Sequence, residues 1–234
     1  MVEQRAAGVP IEQVVGWAEF CGLRIGVDRG VFVPRRRTEF LAGQAIALVR
    51  PAGPAEAPPP VVVDLCCGSG AVGAAVACAA GPIDLHASDI DPVAAACARR
   101  NLAAVGGHVH QGDLFEALPA SLRGYVVLLV ANVPYIPTGE ITLLPPEARL
   151  HEPLAALDGG ADGLDVVRRV SAAAPPWLAP GGHLLIETSG RQAPQAAATF
   201  ANCGLMPRAA SSAELSASVV IGTRAASPAA PGAG

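Results

Sequence analysis

The stretch Val61-Val62-Val63-Asp64-Leu65-Cys66-Cys67-Gly68-Ser69-Gly70 constrains the fold of this chain more than any other. A β-branched apolar run reads as a strand buried on both faces. Its glycine-rich end opens into Ala71 to Ala80, an alanine-rich run of helical character. The pattern then repeats. Strands are expected over 61–66, 83–88, 108–111, 125–131 and 182–187, with helices over 70–80, 92–104, 163–174 and 191–203. Such alternation implies a mostly parallel sheet with helices on both faces. Ser218 to Thr223 is expected as a final antiparallel strand. Upstream, the spacing predicts a short helix over 10–20, a hairpin pairing Leu23–Val27 with Gly30–Val33 around Asp28-Arg29, and a helix from Thr38 to Val49. The expected organisation is an N-terminal helix and hairpin extension with its linking helix over 1–50, a Pro/Ala linker over 51–60, a main α/β domain over 61–224 and a disordered tail over 225–234.

Half the residues are apolar, enough for a full core. No apolar run is long enough for a membrane span, and Met1 to Pro10 lacks the apolar stretch of a signal peptide. A cytoplasmic location is therefore expected. The formal net charge of −4 argues against a protein that holds nucleic acid by charge alone. The six cysteines form no CxxC, so buried free thiols are expected.

Carboxylates after three successive strands suggest the ligand. Gly68-Ser69-Gly70-Ala71-Val72-Gly73 fits G-x-G-x-x-G, which alone would also allow a dinucleotide. Gly68 and Gly70 let the backbone approach a ligand closely. Asp64 stands inside that turn, where it would repel a pyrophosphate and welcome an ammonium. Asp89, ending the second strand, can accept from both hydroxyls of a ribose. Asp113, after the third, can accept from an adenine amino group. Together they point to S-adenosylmethionine. Asp91 and Asp113 have a plainer reading as helix or turn caps, preferred for Asp91 because it precedes Pro92.

The fourth strand runs into Asn132-Val133-Pro134-Tyr135. The Asn132 side-chain oxygen and the Val133 carbonyl can accept both hydrogens of a planar –NH2 group. That aims its nitrogen lone pair and stabilises positive charge developing on it. Tyr135 offers an aromatic face to the acceptor and to a cationic methyl, and Pro134 stiffens the turn. Catalytic roles are thus expected for Asn132 and Tyr135, with all four residues binding the acceptor. His108 and His110 would share one strand face, but no third ligand lies near in sequence and no metal is expected. No Ser/His/Asp arrangement is indicated.

These residues resemble the protein-(glutamine-N5) methyltransferases of the HemK/PrmC family. The likeness extends to Phe32-Val33-Pro34-Arg35-Arg36-Arg37-Thr38-Glu39 and to His151-Glu152-Pro153-Leu154-Ala155-Ala156-Leu157-Asp158-Gly159-Gly160-Ala161-Asp162-Gly163-Leu164, and covers about residues 10–223. It implies a class I methyltransferase fold, Rossmann-like with seven strands, and transfer from S-adenosylmethionine to the Gly-Gly-Gln glutamine of a peptide chain release factor. It further implies Asp64, Gly68 and Gly70 at the methionine end of the cofactor, Asp89 at the ribose, and Asp113 with Leu114 at the adenine. Asn132 and Tyr135 would hold the amide. This chain departs from the family pattern in Val133, where the family has proline, and in Arg36 and Arg37, which replace a proline and usually an acidic residue. It also has a shorter N-terminal segment. Arg35-Arg36-Arg37 reads either as a solvated helix start or as a site for an anion such as the cofactor carboxylate. Three other readings stay open: methylation of an exocyclic amine on a nucleic acid, methylation of a small carboxamide or amine, and a cofactor-binding protein that docks partners without catalysis.

Overall fold

The structure is a computed structural model that describes residues 1–49 and 58–226; residues 51–57 of the expected linker and 227–234 of the expected tail lie outside it. In chain order come α1 (Val2–Ala6), α2 (Ile11–Val15), β1 (Trp17–Phe20), β2 (Leu23–Gly26), α3 (Glu39–Leu48), β3 (Val61–Leu65), α4 (Ala71–Ala80), β4 (Asp84–Asp89), α5 (Pro92–Leu102) and β5 (His108–Gln111). There follow β6 (Val126–Ala131), α6 (Pro146–His151), α7 (Asp165–Ala173), β7 (Leu178–Thr188), α8 (Ala193–Asn202), β8 (Leu205–Ser212) and β9 (Ala217–Arg224).

Seven strands form one sheet in the order β5-β4-β3-β6-β7-β9-β8. The first five are parallel, and β9 runs antiparallel to both β7 and β8. The chain builds outward from β3 through β4 to β5, then returns to add β6 on the other side of β3. That reversal leaves a crevice at the carboxyl ends of β3 and β6, the usual ligand position in such sheets. Strand residues alternate between two cores, so the central strands are apolar on both faces except at a few positions such as Asp64 in β3. Val62, Leu128, Val130 and Leu185 pack under α3, α4 and α5. Val63, Leu65, Leu129, Leu184 and Ile186 face α7 and α8. The seven-stranded, mostly parallel architecture matches expectation.

Three local expectations need correction: the hairpin, the helix before it and the burial of the cysteines. The hairpin lies one strand earlier than the sequence suggested, between β1 and β2. Gly16, in the left-handed region at φ +83°, ends α2 well before residue 20. Cys21 and Gly22, both at positive φ, then make the turn. Val31 and Val33 instead bury in a small cluster with Ala18, Val27 and Cys97. The seventh strand, β8, had no signal: its residues are mostly exposed, and Pro207 is tolerated because β8 is an edge. The cysteines are free, as expected, but not uniformly buried: Cys67 and Cys97 are, whereas Cys21 and Cys78 are exposed.

The extension is fastened to the main domain by α5. The Asn101 amide oxygen accepts from the Gly26 N–H at 2.9 Å, and its Nδ2 donates to the carbonyls of Gly26 (2.9 Å) and Ser69 (2.8 Å). One side chain thus ties β2 to the loop after β3. Among the described residues, no helix is long and apolar enough to cross a membrane.

Candidate active site

A cavity of about 520 Å³ opens at the crevice between β3 and β6. Asp64, Gly68, Asp89, Asp113, Leu114, Asn132, Val133, Pro134 and Tyr135 all line it. Gly70 does not. It holds φ +78° at the start of α4, and a Cβ there would press on Leu102 and Ala98 at 3.1–3.3 Å. Its demand for glycine comes from helix packing and backbone geometry.

One half of the cavity is built on strand-end carboxylates. Asp64 is buried, and its Oδ2 accepts from the Gly73 N–H at 2.8 Å, capping the first turn of α4. Burial, with the like charge of Asp89, pushes its pKa up to about 7, against the opposing pull of that N–H. Asp89 accepts from the Gly68 N–H at 2.8 Å and the Asp91 N–H at 2.9 Å, which shapes the glycine loop around it; burial raises its pKa as well. Asp91 caps α5 through Val93, as expected, while also bordering the cavity. Asp113 is half-exposed and holds Arg169 at 2.6 Å, a partner the sequence did not suggest. Cys66 and Leu114 line the same wall at φ +54° and +48°, unusual for residues with side chains and typical of ligand-shaping backbone.

The other half is assembled from distant segments around Asn132 to Tyr135. Val133 is buried and fixes the turn from behind. The Tyr135 carbonyl accepts from Gln192 Nε2 at 2.9 Å, and the same amide donates to the Asp162 carbonyl. Gly159 and Gly163 press so closely on this backbone that a Cβ at Gly159 would meet the Pro134 carbonyl oxygen at 2.8 Å; one at Gly163 would overlap that of Tyr135. These contacts account for Gly159 and Gly163; Gly160, at φ +89°, lies against the Asp165 carboxylate instead. The Tyr135 hydroxyl donates to Glu187 Oε1 at 3.0 Å, and burial followed by the Glu187 charge raises its pKa.

The arginine cluster is not simply a solvated helix start. Arg35 bonds both oxygens of buried Glu152 at 2.6 Å, and Glu152 also accepts from the Val33 N–H at 3.1 Å. Arg37 pairs with buried Glu187 at 3.2 Å. Arg36 is exposed. Sequence reasoning missed the roles of Glu152, Glu187, Gln192, Asn101 and Arg169. For Glu187 a signal existed, a lone carboxylate closing the apolar run Leu184-Leu185-Ile186. His151 lies off the cavity, bonded to the Ala7 carbonyl at 3.2 Å. His86, His108 and His110 gather on one sheet face, yet among the described residues no His/Cys/Asp/Glu group could hold a metal.

The cavity suits S-adenosylmethionine in size and in donor set. A buried carboxylate of raised pKa gains its ionised form on meeting an ammonium, and the volume falls in the usual range for a cofactor site.

Comparison with known proteins agrees with this geometry. Residues 55–140 match the Methyltransferase small domain family. A release factor glutamine methyltransferase of Streptomyces coelicolor is 41% identical over 83% of this chain and 69% of its own length. A 4-amino-L-phenylalanine/4-methylamino-L-phenylalanine methyltransferase of Streptomyces pristinaespiralis is 37% identical over 90% of this chain and 71% of its own. In fold, the chain is similar to a methyltransferase from Pyrococcus furiosus, with a TM-score of 0.66 at 15% identity, over 95% of this chain and 99% of that one. The parallel sheet, the carboxylate-lined crevice and these likenesses converge: the chain is an S-adenosylmethionine-dependent methyltransferase that belongs to the release factor glutamine methyltransferase family.

Proposed function

We propose that the chain methylates the side-chain amide nitrogen of a protein glutamine, that of the Gly-Gly-Gln motif of a peptide chain release factor in the cytoplasm. One observation carries this reading: Asn132, Val133, Pro134 and Tyr135 open onto the same cavity as the buried Asp64. S-adenosylmethionine supplies an electrophilic methyl on a sulfonium. Asp64 receives its amino group, Asp89 its ribose hydroxyls, and Asp113 with Leu114 its adenine. Gly68 contributes close backbone.

A carboxamide nitrogen is a poor nucleophile because its lone pair is delocalised into the carbonyl. The Asn132 oxygen and the Val133 carbonyl accept its two hydrogens and set the lone pair in line with the methyl. As the C–N bond forms and the C–S bond breaks, positive charge develops on nitrogen, and the same two acceptors stabilise it. The Tyr135 ring supports the cationic methyl region. The surplus proton leaves the methylated nitrogen afterwards, so no general base is required before transfer. Val133 in place of proline keeps the carbonyl, and its burial keeps the turn rigid.

The test is peptide mass spectrometry of the cognate release factor after incubation with the enzyme and S-adenosylmethionine. One methyl on the Gly-Gly-Gln glutamine is expected. Asn132→Ala should lose about a hundredfold or more in turnover while still binding the cofactor; full activity in that variant would overturn the acceptor assignment. A second reading, a free aromatic amine as acceptor, is favoured by the likeness to the 4-amino-L-phenylalanine enzyme. A parallel incubation with that amino acid decides between the two.

A further inference from the structure

Glu187 has no role in the mechanism so far, yet its setting is unusual. It closes β7 beside the cavity and is 2% exposed. Its Oε1 accepts from the Tyr135 hydroxyl at 3.0 Å and from Arg37 Nε at 3.2 Å. Its Oε2 is buried and has no hydrogen-bond partner among the described residues. The Arg37 guanidinium lies 5.6 Å from the centre of the Tyr135 ring. A buried carboxylate with one oxygen unpartnered is a cost to the fold, and such groups persist where they serve a site.

We propose that Glu187 is a positioning residue that locks the Tyr135 ring against the acceptor, with Arg37 as its counter-ion. The inference rests on the acceptor reading of Tyr135 given above. The phenol has two freedoms to lose, rotation about the side chain and displacement along the cavity wall. At the backbone, Gln192 pins the Tyr135 carbonyl. At the far end of the side chain, Glu187 pins the hydroxyl, and Arg37 lies over the ring. The Arg37 Nε faces Glu187, its side chain is 44% exposed, and it lines the cavity beside Tyr135.

The test separates positioning from mere stability. Glu187→Gln removes a buried charge, so the thermal midpoint should hold or rise. S-adenosylmethionine affinity should be unchanged. Turnover of the release-factor peptide should nevertheless fall about tenfold in kcat/KM, because the neutral Gln oxygen holds the Tyr135 hydroxyl more weakly than the carboxylate does and no longer draws in Arg37. A second readout needs no acceptor. In a Tyr125→Phe background Tyr135 is the sole tyrosine, and the ultraviolet band of its neutral phenol moves to longer wavelength as the hydroxyl donates to a stronger acceptor. Glu187→Gln should move that band to shorter wavelength, and Arg37→Ala should move it to longer wavelength, since a carboxylate freed of its counter-ion is the stronger acceptor.

Unchanged acceptor kinetics in Glu187→Gln would overturn the proposal. So would a fall in midpoint and cofactor affinity that matches the fall in turnover, or a phenol band that neither variant moves. If the wild-type enzyme methylates no offered acceptor, the functional reading fails on its own, and the phenol band still decides whether Glu187 and Arg37 govern Tyr135.

Discussion

The two halves of the cavity are built in opposite ways. In the carboxylate half, the contacts that shape the glycine loop are short in sequence: Asp64 reaches Gly73 nine residues away, and Asp89 reaches Gly68 at 21, while the longer pair of Asp113 with Arg169, across 56, is on the exposed rim. In the acceptor half, Arg35 meets Glu152 across 117 residues, Arg37 meets Glu187 across 150, and Tyr135 meets Glu187 across 52. A strand, a turn and the next helix are enough to shape the first half. The second exists only once the whole domain has closed.

That contrast can be broken most forcefully with glycine substitutions. Gly163 is at φ +77°, and a Cβ there would run into the Tyr135 carbonyl and the Gln192 amide. Gly163→Ala should therefore cost about 3–5 kcal/mol, strain and overpacking together, and should abolish acceptor turnover. Gly68 is also at positive φ, +56°, but its Cβ would meet nothing within 4 Å. Gly68→Ala should cost about 1 kcal/mol. Equal losses of thermal midpoint in the two variants would refute the contrast.

Next in size is the pH response of the carboxylate half. The folded-state pKa of Asp64 is raised above the ordinary 3.8 to about 7. Its contribution to the stability of the unliganded protein is therefore fully present below the ordinary value and is lost as pH rises through about 7. Cofactor affinity should run the other way, strengthening as Asp64 ionises to meet the ammonium. Asp64→Asn should flatten both slopes and weaken S-adenosylmethionine about tenfold to a hundredfold. Calorimetric titrations at pH values on either side of the Asp64 pKa measure this; an affinity that stays level in the wild type would remove Asp64 from the cofactor site.

The smallest effect is expected at Arg169. Its pair with Asp113 is exposed on both sides, so Arg169→Ala should change stability by about 1 kcal/mol or less. Releasing Asp113 should leave cofactor affinity level or slightly higher. A large loss would mean that Arg169 itself holds the ligand.

The same contrast explains what the sequence disclosed. The βα alternation, the Asp64 turn, the Asp91 cap and the Asn132–Tyr135 segment are local patterns in which strand period and turn residues speak for themselves. Gln192 was silent, and the lone carboxylate of Glu187 gave no hint of its partners, because Tyr135, Asp162 and Arg37 lie far along the chain. Arg35 and Arg37 looked like solvated surface because nothing in a basic run reveals a buried carboxylate waiting opposite. Gly70 misled in another way: its glycine signature was real, but packing against Leu102 and Ala98 sets it, not a ligand. The hairpin shifted because the left-handed turn at Cys21 falls on a residue type that rarely advertises one.

Asn101 gives the N-terminal hairpin a mechanical standing that its size would not suggest. Because one carboxamide grips Gly26 on one side and Ser69 on the other, motion of the hairpin should reach the Gly68–Gly70 loop, where we propose that the cofactor sits, without passing through the sheet. The Gly26 amide then becomes a remote gauge of cofactor occupancy: its hydrogen exchange should slow when S-adenosylmethionine stiffens the loop, although the ligand never touches it. Trimming or engineering the hairpin would retune cofactor binding rather than merely shorten an arm.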